Sequence, residues 1–178
     1  MKYLFIIALL LYNFSVNAKL YEVDYDESTV AFSGIHAGNE FNGAFETWNA
    51  DIQFDGESLG QSSLRVVFDT ASAKTGNAMY DGTLPSKDWF DVKTYPEAVF
   101  ESVSFKKNDD GYSVMGDLTI KDTTNPISFD FILEGHNPVI MTAEFPINRL
   151  DFDIGKGSDP SAEWVNENII VNLQVVAN

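Results

Sequence analysis

Residues 112–134, YSVMGDLTIKDTTNPISFDFILE, decide the fold. Tyr112, Val114, Leu118 and Ile120 alternate with Ser113, Asp117, Thr119 and Lys121, and then Ile127, Phe129, Phe131 and Leu133 oppose Ser128, Asp130 and Glu134. A period of two sends successive side chains to opposite faces of a strand, so each run has one dry face and one wet face. The same alternation recurs outward in both directions. Trp48, Ala50, Ile52 and Phe54 carry it, as do Leu64, Val66 and Phe68, and near the end Ile169, Val171, Leu173 and Val175. Turn chemistry separates the runs: Asp55-Gly56, Asn108-Asp109-Asp110-Gly111, residues 134–138 (EGHNP) and residues 155–160 (GKGSDP). Asp-Gly between alternating runs favours a hairpin, because glycine accepts the positive φ of a tight turn. The expected fold is all-β, a single antiparallel β-barrel of about eight strands. Closure at that number removes exposed sheet edges and leaves an interior that is either filled or able to hold one ligand.

One stretch breaks the rhythm. Residues 70–96, TASAKTGNAMYDGTLPSKDWFDVKTYP, are too long for a hairpin loop and too aromatic for a solvated one. Pro85 and Ser86 are able to start a short helix, with Trp89 and Phe90 as its apolar side. We expect this segment to form a short helical cap over one mouth of the barrel, since long connections in small domains are usually functional.

The chain has 178 residues, 27 acidic against 11 basic, two His and no Cys, for a formal charge of -16. Such a chain repels phosphate backbones and anionic surfaces, so no nucleic-acid partner is expected. Without cysteine there is no disulfide, thiolate nucleophile or CxxC site. At the start, Lys2 precedes the apolar run Tyr3–Tyr12 and the small-residue site Val16-Asn17-Ala18. That order reads as a cleaved signal peptide over residues 1–18, too short for a membrane span. The barrel domain then occupies residues 19–178, and a periplasmic location follows as an expectation.

Gly56-Glu57-Ser58-Leu59-Gly60 fits G-x-S-x-G, but that nucleophile elbow needs a strand-to-helix turn and this one lies between two strands. Asp151, Asp153 and Asp159 invite a calcium loop, yet Lys156 and Ala162 occupy the positions where an EF-hand places glycine and an acid. A solvated turn is the favoured reading of that segment. His36 and His136 lack a second histidine at ligand spacing, so no metal site is expected. No catalytic constellation stands out, and the expectation is a binding protein rather than an enzyme.

The sequence is instead rich in large apolar groups, with 14 Phe, seven Tyr and three Trp. By strand parity Phe32, Trp48, Phe68, Phe100, Leu118, Phe129 and Phe131 point inward, with Met79, Leu84, Trp89 and Phe90 closing one end. Pattern alone leaves two interiors open, a filled core and an elongated cavity for an apolar ligand.

Specific segments carry a resemblance. Residues 68–105, FDTASAKTGNAMYDGTLPSKDWFDVKTYPEAVFESVSF, and residues 116–128, GDLTIKDTTNPIS, resemble signature stretches of the YceI-like family of lipocalin-like, polyisoprenoid-binding barrels. The opening strand VDYDESTVAFSGIHAG and the closing INRLDFDIG followed by Glu163-Trp164 are similar to that family too, so the resemblance spans residues 19–178 in order. It implies a secreted or periplasmic barrel with a helical cap and a channel for isoprenoid chains or quinone tails. No cofactor is implied beyond such a bound isoprenoid lipid or quinone. It further implies transient contact with a membrane b-type cytochrome, making a quinone-linked redox accessory the alternative role, with a structural or stress-related barrel as a third. Monomer and homodimer are both compatible. The chain departs from the usual family form at Asn77-Ala78-Met79-Tyr80-Asp81, where an arginine-bearing stretch is common. Lys74, Lys87, Arg65 and Arg149 are then the cations available to a charged head group, and the shortage favours a neutral head such as a quinone. Arg149 is the candidate head-group contact, its competing role being an ion pair with Asp151 or Asp153.

Overall fold

The parity pattern becomes one antiparallel sheet in the computed structural model, which describes residues 18–178. The expected signal segment falls almost wholly on residues 1–17, outside the described residues. The strands are β1 (Lys19–Tyr21), β2 (Val23–His36), β3 (Asn39–Phe45), β4 (Trp48–Phe54), β5 (Ser63–Asp69), β6 (Ala73–Lys74), β7 (Glu97–Lys107), β8 (Tyr112–Ile120), β9 (Thr123–Gly135), β10 (Val139–Asn148) and β11 (Asn168–Ala177). Their order across the sheet is β1-β4-β5-β7-β8-β9-β10-β11-β2-β3-β6.

That order closes into a ring. β2 pairs with β11 on one side, Phe32 opposite Val171, and with β3 on the other, Phe32 opposite Gly43. β1, the same chain excursion as β2, pairs with β4. The excursion through β1 and β2 is interrupted at Glu22, and that through β3 and β4 at Glu46 and Thr47, which together with the two-residue β6 accounts for eleven strands where about eight were expected. Between the two paired ends the ladder opens, and the Tyr25 hydroxyl accepts the amide of Ala50 across the gap. Tyr25 lies edge-on to Trp48, with ring centroids 5.0 Å apart.

Turn chemistry acts largely as the sequence suggests. Asn108 and Gly111 close the β7–β8 hairpin through the Asn108 amide and the Gly111 carbonyl. Lys121, read as the end of a strand, instead forms a two-residue turn with Asp122 and has φ 57°, so the alternation ends at Ile120. The G-x-S-x-G run lies in the loop between antiparallel β4 and β5 and includes part of a single 3-10 turn, Leu59–Gln61.

The helix forms earlier than expected. α1 spans Ala78–Thr83, with the Asn77 side chain accepting the Met79 amide as its N-cap. Pro85 follows its last turn instead of starting it. Residues 85–94 are turns, because Asp88 is committed elsewhere: its carboxylate accepts the amides of Gly157 and Ser158 and the Ser158 hydroxyl. A carboxylate held by a loop almost 70 residues away cannot cap its own segment, and Trp89 and Phe90 are carried inward on turns. Among the described residues no helix is long and apolar enough to cross a membrane.

Inward positions fill with aromatic and aliphatic side chains. Phe32, Phe54, Phe100, Phe129, Phe131 and Phe152 are all buried within one continuous cluster. Phe129 and Phe145 stack face to face, their centroids 4.1 Å apart and planes 7° from parallel. At two places glycine lets the wall close in. A side chain on Gly43 would meet the Phe32 ring and the Lys74 carbonyl, and one on Gly116 would meet the Glu101 carbonyl and the Phe100 ring.

Candidate functional site

Large rings arranged around a cylinder leave gaps that no neighbour fills, and here the gaps are in series. Four cavities follow the barrel from one end to the other, of about 50, 110, 110 and 130 Å³. The basal one lies among Tyr21, Phe54, Phe105 and Phe131. It shares Ile52, Leu64, Phe129, Met141 and Val175 with a central cavity lined wholly by apolar side chains. Phe45, Phe90, Ile120, Ile147 and Val171 separate the central cavity from an upper one. Phe41, Leu84 and Trp89 then stand between the upper cavity and a mouth beneath α1. Adjacent cavities are thus divided by single layers of side chain.

The seven residues singled out by parity and the four expected to close one end all lie on these walls. Trp48, Phe68, Phe100, Leu118 and Phe129 line the central cavity, Phe131 the basal one and Phe32 the upper one. Phe90 is shared by the central and upper cavities, Leu84 and Trp89 by the upper cavity and the mouth, and Met79 stands at the mouth itself, 64% exposed. Several wall residues escape the sequence reading. Met141, Phe145 and Ile147 follow a parity opposed by Thr142, Glu144 and Pro146, which was available in the sequence. His36 and Tyr80 carry no such signal, because they meet only in the folded chain.

The mouth concentrates the polar groups. His36 ends β2 and is fixed by an isolated bridge to Val165, with the neighbouring Ala37 amide donating to the Trp164 carbonyl. Its Nδ1 lies 2.9 Å from the Tyr80 Oη, and the two rings are set edge to face. Thr75 and Thr83 complete the polar part of the wall. Asp81 accepts both the amide and the hydroxyl of Thr75, and these bonds hold its carboxyl below the usual range.

Arg149 proves to be a fastener. Its Nε donates to the Asn166 carbonyl, Nη1 to the Ile154 carbonyl, and Nη2 to the carbonyls of Asp159 and Val165 and to the Asp159 carboxylate. Its ion-pair partner is therefore Asp159, not Asp151 or Asp153; Asp153 pairs with Lys156 instead. With its donors turned to the closing loop, Arg149 also lines the upper cavity, and its guanidinium lies 5.7 Å from the Trp89 ring. The solvated-turn reading of this loop fails at Asp159, which is buried. Burial pushes the Asp159 carboxyl up, but the amides of Val165, Trp164 and Glu163, with Arg149, outweigh it and the net direction is down. Among the described residues no group of three His, Asp or Glu is placed to hold a metal ion.

A closed antiparallel barrel with a helix over one end and an apolar bore defines the class, and comparison with known proteins gives the family. The YceI-like domain model matches residues 21–177, and the chain belongs to the YceI-like family. A UPF0312 protein of Yersinia pestis is 33% identical over 130 residues, covering 69% of this chain and 68% of that protein. One of Yersinia enterocolitica is 31% identical over 161 residues, covering 85% and 84%. Among solved structures, BcnA of Burkholderia cenocepacia superposes with a TM-score of 0.84 at 29% identity, covering 88% of this chain and all of that one. A polyisoprenoid binding domain from Saccharophagus degradans, implicated in plant cell wall breakdown, superposes at 0.67 with 14% identity, covering 89% and 97%, a likeness of fold.

Proposed function

We propose that this protein is an exported carrier that holds the chain of an isoprenoid-type lipid inside its barrel, with a periplasmic site of action. The observation that carries the reading is the series of apolar cavities divided only by single side chains, because a flexible tail can occupy such a bore once a few rings turn. Removing apolar surface from water is worth about 25 cal/mol per Å² and needs no charged chemistry, only a dry tube and a mouth. The Saccharophagus domain, named for polyisoprenoid binding, has the same fold and supports the parallel. The Lys2 and Tyr3–Tyr12 pattern supports export. A carrier rather than an enzyme fits walls on which the central cavity bears no polar side chain.

The test is native and denaturing mass spectrometry of protein purified without detergent from its own compartment, with organic extraction of whatever travels with it. A stoichiometric isoprenoid compound is the expected result. Protein that comes through empty, and whose fluorescence and melting temperature ignore added polyprenyl lipids, would overturn the reading in favour of a structural barrel.

A further inference from the structure

The bore is most polar at the mouth, the basal cavity having only Gln53 and Ser63 among hydrophobic walls, and the kind of polarity at the mouth specifies what a bound lipid carries on its head. This inference rests on the tail-binding reading above. No lysine or arginine lines the mouth. Arg149, the buried cation nearest in the fold, has its donors turned to Asp159 and to the backbone of the closing loop. The two threonines of the wall are also committed: the Thr83 hydroxyl donates to the Met79 carbonyl and the Thr75 hydroxyl to Asp81. The Asp81 carboxylate behind Thr75 adds negative potential. A diphosphate head would enter with two or more charges, and the cation beside the wall, Lys74, already acts on the Asp81 carboxylate, so most of that charge would be left unpaired, which is strongly unfavourable.

What remains is His36 and Tyr80, and their hydrogens can be counted. An uncharged imidazole and a phenol carry one N–H and one O–H between them. One of the two is spent in the 2.9 Å bond joining Nδ1 to Oη. If Nδ1 donates, the Tyr80 hydroxyl keeps its hydrogen for a ligand. If the phenol donates, the hydrogen left over is on His36 Nε2. In either tautomer the pair retains one free donor at the end of an apolar tube.

We propose that the mouth recognises an uncharged, oxygen-bearing head group, a quinone carbonyl or a prenol hydroxyl, through a hydrogen bond donated by the His36–Tyr80 pair. The tail then lies beyond Trp89 and Leu84 in the upper and central cavities, so the head also sets the depth to which the chain is drawn in.

Four probes sharing a geranylgeranyl tail test this: a benzoquinone head, an alcohol, a diphosphate and a headless hydrocarbon, each titrated against the full mature chain by tryptophan fluorescence. The quinone and the alcohol should bind more tightly than the other two, and the stronger of them identifies the source of the oxygen. The double variant Tyr80→Phe/His36→Phe removes both hydrogens, whereas each single variant keeps one, so the double variant should lower the affinity for those two probes about five- to tenfold, the scale of one hydrogen bond, and leave the headless probe unchanged. Preferred binding of the diphosphate, or an unchanged quinone-to-headless ratio in the double variant, would overturn the proposal while the tail-binding reading stands. Loss of the headless probe in the double variant would make the pair structural and overturn it too. Failure of all four probes with the unmodified chain would instead remove the tail-binding reading, and this inference with it.

Discussion

Arg149 and Asp159 meet at 2.7 Å with both side chains almost wholly withdrawn from water, 2% and 6% exposed. The Asp159 carboxylate also accepts the amides of Glu163, Trp164 and Val165, so this one acid organises the chain between the 3-10 turn after β10 and the start of β11. Removing either partner strands the other as a buried charge. Asp159→Asn and Arg149→Met should each destabilise the barrel by about 3–5 kcal/mol, read from urea unfolding. The double variant should lose less than the sum of the two singles, since neither charge is then left behind. Single variants that unfold like the parent would contradict this account.

Acid should loosen the loops before the barrel. The carboxyls of Asp88 and Asp159 are both raised by burial, but hydrogen bonds outweigh that, from Ser158 and Gly157 for Asp88 and from Val165, Trp164 and Glu163 for Asp159. Their folded values therefore lie below the ordinary 3.8. A group depressed on folding stabilises the protein above its unfolded value, and that contribution is lost as pH falls through the folded value. The melting temperature should accordingly hold near neutrality and drop once pH goes below the ordinary carboxylate range. Asp88→Asn should flatten part of that drop, measured by scanning calorimetry between pH 6 and 3.

Two glycines in the same chain make a matched comparison. Gly116 faces the Glu101 carbonyl, which is backbone and cannot swing aside, whereas nothing lies within 4 Å of where a side chain on Gly60 would stand. Gly116→Ala should destabilise by about 1–3 kcal/mol through overpacking. Gly60→Ala should stay within about 0.5 kcal/mol of the parent. Equal effects in chemical denaturation would show that the wall between β7 and β8 gives more easily than its geometry suggests.

Filling the bore should separate folding from binding. Val66 faces the central cavity from β5, opposite Phe100 on β7. Val66→Phe places its added ring in existing empty space, so stability should change by less than about 1.5 kcal/mol. Uptake of a polyprenyl probe should fall at least tenfold in a fluorescence titration. Phe129→Ala acts in the opposite sense, removing the ring stacked on Phe145, and should cost about 3–5 kcal/mol of stability.

Parity made the barrel and much of its bore legible. Each of the residues from Phe32 to Phe131 chosen for inward parity lies on a cavity wall, because a two-residue period has only one way to place alternate side chains once one face is dry. What parity could not convey was whether the rings would meet or leave space, since that depends on how eight excursions curve around a common axis. The irregular segments were harder still. Asp159 reads as one more loop acid until Arg149, ten residues earlier, is buried against it. His36 and Tyr80 are 44 residues apart and belong to a strand and a helix with no shared pattern. Asp88 shows why the helix was misplaced: its partners at Gly157 and Ser158 lie at a distance that local propensity cannot register.

The layers that divide the bore have a consequence for timing. Phe45 and Phe90 stand as bulkheads between the central and upper cavities, and Leu84 and Trp89 between the upper cavity and the mouth. On the proposed carrier reading, a tail advancing through them would have to wait for each ring to turn within a close-packed wall, and Trp89 would turn against the Arg149 guanidinium, which lies 5.7 Å from its ring. On that reading, loading and unloading would be metered by side-chain gates in sequence, and a cargo once past Phe45 would be retained by the slowness of the return as much as by the strength of its burial.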